Sequence, residues 1–416
     1  MKWAAAVLVV LGAFVVGCGD KDSVEPVALR ACTEVLYEGG GKPDLIVVSD
    51  FPRRGIGADA TRAMVGAIEF VLRRRDFRAG SHRVGYQSCN DALGDEPYDE
   101  HLCRRNARTY VETADVVGVI GPWNSGCATE QIPIVSRKDA GPLAMISPSN
   151  TNAGLTIPAL GAGQLYPDGV RSYVRVVTHD LAQGSAAAFE AVRLRARRVA
   201  LVHQDLADDY VRGLALSFRA SARRLGLDVH EFAWQLEASY GPLARAIAAT
   251  RPQAVYLAGL TQLNGKRLVL DLRAALGPGV TLIAPDSFAA DDIARALGRA
   301  GDGMRVTVAG FPPKALPPAG KRFVREFGAS RVETGIGAPE AAEAAEVLLN
   351  AIARSDGTRA SVVDELFATR VTNGILGSFT FDRNGDIVPG PVGVYRFERG
   401  KIVTDGVVRV PLDATQ

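Results

Sequence analysis

Three hydroxyl side chains, Ser125, Ser149 and Thr151, stand just beyond the ends of two short apolar runs, Val116–Ile120 and Pro142–Ile146. The runs read as buried parallel strands. The loops after them, Gly121–Gly126 and Ser147–Thr151, are small and polar. Open α/β sheets take ligands at the carboxyl ends of their strands. The first loop leads into a helix expected near Cys127–Lys138. Ser125 and the next amides thus lie where unpaired N–H groups and the positive helix end favour a carboxylate or phosphate. Ser and Asn also serve in such places as plain loop and N-cap residues. The chemistry on offer is the seating of a small anion.

Covalent and redox chemistry find less support. Gly55-Ile56-Gly57-Ala58-Asp59-Ala60 has the G-x-G-x-x-A order of a dinucleotide fingerprint between a strand and a helix, which opens an NAD-dependent enzyme as a remote alternative. Five residues, Asp50–Arg54, separate the strand from the first glycine, however. The next strand, Arg83–Gln87, also lacks a terminal acid for a ribose. No G-x-S-x-G elbow occurs. The 5 histidines are scattered, and His203 at a strand end reads as structural. Asp382–Asp386 echoes a calcium loop, but its glycine is out of place and the closing glutamate is missing. A hairpin turn fits better. No cofactor and no metal is expected, and the chain is read as a binding protein rather than an enzyme.

Alternating strands and helices are needed to position these loops, and the chain supplies them from Asp44 onward. Leu45–Ser49 reads as strand, Thr61–Arg75 as amphipathic helix, Arg83–Gln87 as strand and His101–Thr113 as helix, before the two runs above. This is a doubly wound parallel pattern. A second series follows Tyr173–Val177, with strands at Val199–His203, Asp228–Trp234, Ala254–Ala258 and Thr281–Ala284. Helices fall between and after them at Tyr210–Leu225, Leu243–Thr250, Gly265–Leu276 and Asp291–Arg299. After Met304–Ala309 come helices at Lys321–Phe327, Pro339–Arg354 and near Ser361–Thr369. Extended runs at Gly377–Phe381, Val392–Glu398 and Lys401–Val408 close the chain. Its length suits two cores. A hydrophobic content of 47% is that of a globular chain, and a net charge of +2 leaves no nucleic-acid footprint.

At the start, Lys2 precedes an apolar run that ends at Cys18 and is shorter than the ~20 residues of a spanning helix. It resembles a bacterial lipoprotein signal, with Val15-Val16-Gly17-Cys18 as the lipobox and Cys18 as the lipidated thiol. Residues 19–43 read as a tether, with a weakly apolar patch at Cys32–Tyr37 able to pack on the body. Export suits the other cysteines, Cys32, Cys89, Cys103 and Cys127, as two disulfides. Of the three connectivities, the reading favours Cys89–Cys103, which closes a short polar loop, and Cys32–Cys127, which pins the arm to the binding loop.

In their order and spacing, VVGVIGPWNSGCATEQIPI, AGPLAMISPSNTNAGLT, RRVALVHQDLADDYVRGLALSFR and GILGSFTFDRNGDIVPGPVGVYRF resemble the extracellular solute-binding proteins of ABC importers, in the leucine/isoleucine/valine-binding branch. The resemblance runs from about Asp44 to Val403. It implies two doubly wound α/β lobes of the periplasmic binding protein type I class, joined by three crossovers, which close by a hinge around the ligand. Mapped here, lobe one is 44–177 plus 304–370, and lobe two is 178–303 plus 371–408. The resemblance also implies a small amino-acid-like ligand. Ser125, Ser149 and Thr151 would hold its carboxylate, Asp286 would face its ammonium, and Tyr210 would close over it. Two departures stand out: Leu260 replaces an aromatic, and Arg53 and Arg54 occupy a loop that is small or apolar in relatives. At the cleft, these arginines would favour a second acidic group on the ligand; equally, both could point to solvent. The implied role is capture and delivery to ABC permease subunits by an exported monomer held at the membrane through its lipid. A sensor lipoprotein of the same fold, binding an amide or acidic solute, is the alternative.

Overall fold

The structure is a computed structural model that describes residues 24–55, 57–139, 141–207, 209–261, 263–329 and 337–410. The apolar run and Cys18 lie outside the described residues. In the first part of the chain, β1 (Leu45–Asp50), α1 (Ala58–Arg74), β2 (Arg78–Ala79), β3 (His82–Cys89), α2 (Glu100–Glu112), β4 (Val116–Ile120), α3 (Ser125–Val135), β5 (Ala144–Ser147) and β6 (Tyr173–Arg175) follow one another. Their strands form a six-stranded sheet in the order β2-β3-β1-β4-β5-β6. All neighbours pair in parallel except β2 with β3. Every residue of β4 and β5 is buried, as strands covered on both faces must be.

The chain then crosses to a second unit. It contains α4 (Asp180–Arg193), β7 (Arg198–His203), α5 (Asp209–Arg224), β8 (Asp228–Ala233), α6 (Gly241–Ala249), β9 (Ala254–Ala258), α7 (Gly265–Leu276), β10 (Thr281–Ala284), α8 (Asp291–Leu297) and β11 (Arg305–Ala309). It next returns through α9 (Pro318–Ala329), α10 (Ala338–Arg354), α11 (Arg359–Phe367), β12 (Arg370–Gly374), β13 (Gly377–Phe381) and β14 (Ile387–Val388). Finally it crosses back as β15 (Pro391–Glu398) and β16 (Lys401–Arg409). The second sheet has seven strands in the order β16-β15-β11-β10-β9-β7-β8. Two doubly wound α/β lobes and three crossovers result, as the resemblance implied.

Both later crossovers fall beyond the places expected. Met304 onward was assigned to lobe one, but β11 pairs in parallel with β10 and antiparallel with β15, inside the second sheet. The stretch 371–388 was assigned to lobe two, but Leu376, Phe379, Phe381 and Ile387 share a core with Val47, Ile68, Val117 and Leu348 of the first lobe. An apolar run declares itself a strand, but it does not say which of two sheets offers the free edge.

α10 covers the first sheet together with α1. On α1, Ala63, Met64, Ala67, Ile68, Val71 and Leu72 are buried at helical spacing, the pattern of one apolar face. Gly118 in β4 makes the fit possible: a Cβ there would lie 2.8 Å from Leu348 Cδ2 of α10.

The disulfides differ from the expected pairs. Cys32 is bonded to Cys89 and Cys103 to Cys127. Cys32 faces Cys89 through an isolated bridge, and Leu36 faces Tyr86 in the same way, so the arm runs as a short extra strand along β3. Cys103 and Cys127 sit on α2 and α3, which pack side by side. The arm also buries Val27, whose N–H donates to Gln87 Oε1 at 2.8 Å. From Val24 onward it is therefore packed on the body rather than a free tether.

Candidate functional site

The carboxyl ends of the two sheets face each other across a cavity of about 460 Å³, a volume usual for small-molecule sites. Its walls are largely apolar. Met64, Trp123 and Val324 come from the first lobe, and Val308, Phe311 and Tyr395 from β11, the following crossover and β15. Among the expected site residues, Ser149, Thr151 and Asp286 line it.

Ser149 and Thr151 follow β5 on a loop held from below. Ser147 Oγ accepts from the N–H groups of Ser149 and Asn150, at 3.2 and 3.0 Å. The Asn150 side chain donates to the carbonyls of Pro122 and Trp123, at 3.1 and 3.0 Å. Ser149 Oγ also donates to the Trp123 carbonyl, at 2.8 Å. Beneath this loop Arg175 is fully buried. It donates through Nε to Asp386 Oδ1 at 2.6 Å, through Nη1 to the carbonyls of Asn150 and Asn152 at 3.1 and 2.7 Å, and through Nη2 to Thr156 Oγ1 at 2.5 Å. One guanidinium fork thus joins the loop to the hairpin turn Asp382–Asp386. That turn is closed by Asp382 Oδ1, which accepts from the N–H groups of Asn384 and Asp386 at 2.8 and 2.9 Å. A hairpin was expected here, and it is also the anchor of the loop.

Asp286 opens a short turn after β10. Ser287 Oγ donates to the Gly259 carbonyl at 2.7 Å and fixes that turn. One face of Asp286 meets the cavity and protein surrounds the rest. Its Oδ1 accepts from Tyr210 Oη at 2.5 Å and its Oδ2 from Gln183 Nε2 at 3.0 Å. Burial pushes its carboxyl above the ordinary range, and the two donors oppose that. Asp180, buried behind it, is pushed up further by burial and by Asp286 itself. The Thr151 side chain hydrogen-bonds to Asp180.

The remaining expected residues lie off the cavity wall. Ser125 begins α3 after the Asn124 cap, and its Oγ accepts from the Asn152 N–H at 3.4 Å, tying the two loops together. Tyr210 acts through Asp286. Leu260 is held by backbone bonds to Gln204. Arg53 and Arg54 are exposed. Phe51 and Pro52 are buried just before them, the Arg53 N–H donates to Asn90 Oδ1 at 2.7 Å, and neither arginine lines the cavity. These arginines do not make the cleft basic; among the described residues no lysine or arginine lines it. The dinucleotide-like glycines also have another use: a Cβ on Gly57, at φ 91°, would lie 2.7 Å from the Trp123 ring. That glycine makes room for an aromatic wall.

Among the wall residues that escaped the sequence reading are Trp123, Tyr395 and Glu340. Trp123 lay inside the stretch singled out and is the aromatic at the end of a buried strand. Nothing in the linear pattern carries Glu340 into the cleft, since it reads as an ordinary first-turn helix acid.

The chain matches the sequence profile of the periplasmic binding protein family over residues 93–401. No curated protein matches it. Among solved structures it resembles the leucine-binding protein LivK of Thermotoga maritima, at 23% identity and TM-score 0.67, over 88% of this chain and 99% of that one. It resembles an ABC transporter substrate-binding protein of Desulfitobacterium hafniense in complex with Leu, at 20% identity and TM-score 0.70, over 87% and 99%. It also resembles an ABC transporter solute-binding protein of R. palustris in complex with benzoate, at 17% identity and TM-score 0.63, over 87% and 96%.

Proposed function

The chain belongs to the periplasmic binding protein family, and from that premise we propose that it captures a small amino-acid-like solute between its lobes and delivers it, unchanged, to an ABC permease. The observation that carries this reading is the apolar-walled cavity between the sheet ends, with hydroxyls on one lobe and a carboxylate on the other. Leucine and benzoate, held by two of the similar structures, share a carboxylate on an apolar body. The solute's carboxylate rests on Ser149 and Thr151, with Ser125 and the loop amides behind them. Both wall hydroxyls turn from their present partners to do this, because a donor gains more from a charged acceptor than from a neutral one. The ammonium faces Asp286, which Tyr210 and Gln183 hold in place.

A thermal-shift screen of amino acids, small amides and dicarboxylates tests the reading. A ligand at ~100 times its dissociation constant adds about 2.7 kcal/mol to stability. At least one α-amino acid should raise the melting temperature; if none does and another class does, the solute class is wrong.

Anchoring is the other part of the proposal. Cys18 carries diacylglycerol and holds the protein at the membrane after export. Cys18→Ser should give an unprocessed or released protein. Acylation and membrane retention unchanged in that variant would refute the anchor.

A further inference from the structure

We propose that Glu340 forms a second cation subsite in the cleft, so that the captured solute carries another positively charged nitrogen at the end of its side chain, as diamino and guanidino amino acids do. This rests on the solute-binding reading above and narrows its ligand class. Glu340 is the third residue of α10, after the Gly337 cap. It is only 7% exposed, yet it lines the cavity. Its carboxyl forms no hydrogen bond with any other described residue; only its own N–H lies near. It does not reach back to the Gly337 N–H, the usual service of a glutamate at this helix position. One turn on, the equally buried Glu343 is satisfied by the Leu376 N–H at 2.7 Å. A buried carboxyl without a partner is costly, and burial pushes Glu340 up to about 7.

The surroundings suit a cation. A Cβ on Gly310 would lie 3.1 Å from Glu340 Oε1, so the acid is pressed against the crossover that carries Phe311. Tyr395 is close enough for the Glu340 charge, after burial, to help push its phenol up to about 12. Phe311 and Tyr395 both line the same cavity; the Arg409 guanidinium already stands over the Phe311 ring, 5.7 Å from its centroid, so Tyr395 is the aromatic that could attract a ligand's ammonium or guanidinium group. With no lysine or arginine on the wall among the described residues, no protein cation there competes for Glu340, whereas Asp286 already has Tyr210 and Gln183 as partners. The helix start around Glu340 also favours the ionised form, which a bound cation completes.

The experiment is calorimetric titration of the full chain with L-lysine, L-ornithine and L-arginine against L-norleucine and L-leucine, repeated on Glu340→Gln with circular dichroism as the control for folding. At least one cationic amino acid should bind about tenfold tighter than norleucine, and Glu340→Gln should erase that preference while norleucine binding stays within about threefold. Norleucine or leucine binding as tightly as the cationic set overturns the inference, as does a preference that survives Glu340→Gln. If neutral amino acids bind and cationic ones do not, only the inference falls. If no amino acid of either kind binds, the solute-binding reading falls and takes the inference with it.

Discussion

Asp286→Ala should lower affinity for the proposed amino-acid solute by roughly 30- to several-thousand-fold, about 2–5 kcal/mol, while the protein stays folded. The loss is large because the carboxylate sits between protein and ligand. Tyr210 and Gln183 hold both its oxygens, so it would meet the ammonium of the proposed solute in a fixed geometry. Removing it leaves a desolvated cation without a counter-charge. The folded state loses little, since Asp286 is itself an acid raised by burial and a repulsive neighbour of Asp180. Asp286→Asn, which keeps the shape and removes the charge, should lose most of the same affinity. The pH dependence has a definite sign. A raised carboxyl must give up its proton before it pairs with the ammonium, so affinity falls as pH drops through that raised value. Titration calorimetry on both variants checks the claim. If affinity survives within about threefold, ~0.65 kcal/mol, the ammonium does not face Asp286.

Arg175→Leu is expected to cost about 3–5 kcal/mol of stability, the usual result of removing one partner from a buried ion pair. The fully buried guanidinium spends four contacts on Asp386, Thr156 and the carbonyls of Asn150 and Asn152. Without it Asp386 is stranded in the interior. The loop bearing Ser149 and Thr151 also loses its brace, so affinity should fall along with the denaturation midpoint. Arg175→Lys should recover only part, because an ammonium cannot copy the fork. Removing both charges in Arg175→Leu/Asp386→Leu should be less damaging than Arg175→Leu alone. The Arg175 guanidinium, helped by the Thr156 hydroxyl, holds the Asp386 carboxyl below its ordinary value against burial. Its stabilisation is therefore present above the unfolded carboxyl's value and lost as acid takes the pH through the lower folded one. Urea unfolding at neutral pH measures the effect; a loss under about 1 kcal/mol would show that the pair is dispensable.

What could be read from the sequence followed from local physics. Val116–Ile120 was recognisable as a strand with the bounds it has, because five apolar residues between polar loops have few other uses. Ser149, Thr151 and Asp286 reach one cavity because strand ends in these sheets converge there. α4 escaped notice for a physical reason. It buries Ala182, Gly184, Ser185, Ala186, Ala187 and Ala188, so no apolar stripe stands out. Its small residues serve a close approach to α5, where a Cβ on Gly184 would lie 2.3 Å from the Leu214 carbonyl oxygen. With α4 went Gln183, one of the two donors to Asp286. The cysteine pairs were misjudged because loop length was weighed and neighbouring elements were not. α2 and α3 lie side by side, and the arm lies on β3. Whether Arg53 and Arg54 face the cleft or solvent was open in the sequence; both are exposed after the buried Phe51 and Pro52, and neither lines the cavity.

The packing of α10 on α1 also sets a timetable. Synthesis delivers Arg74 early and Ala338 only after the five strands β7–β11 of the second sheet, which end at Ala309. At ~5–20 residues per second that interval is tens of seconds. Throughout it Val47, Val117 and Ile146 wait for the layer that shares their core. Contacts this remote in sequence are slow to form. The same delay leaves a polypeptide that stops before Ala338 with a sheet covered on one face by α1 without α10, and such a fragment is prone to aggregation rather than able to act as a smaller binding protein.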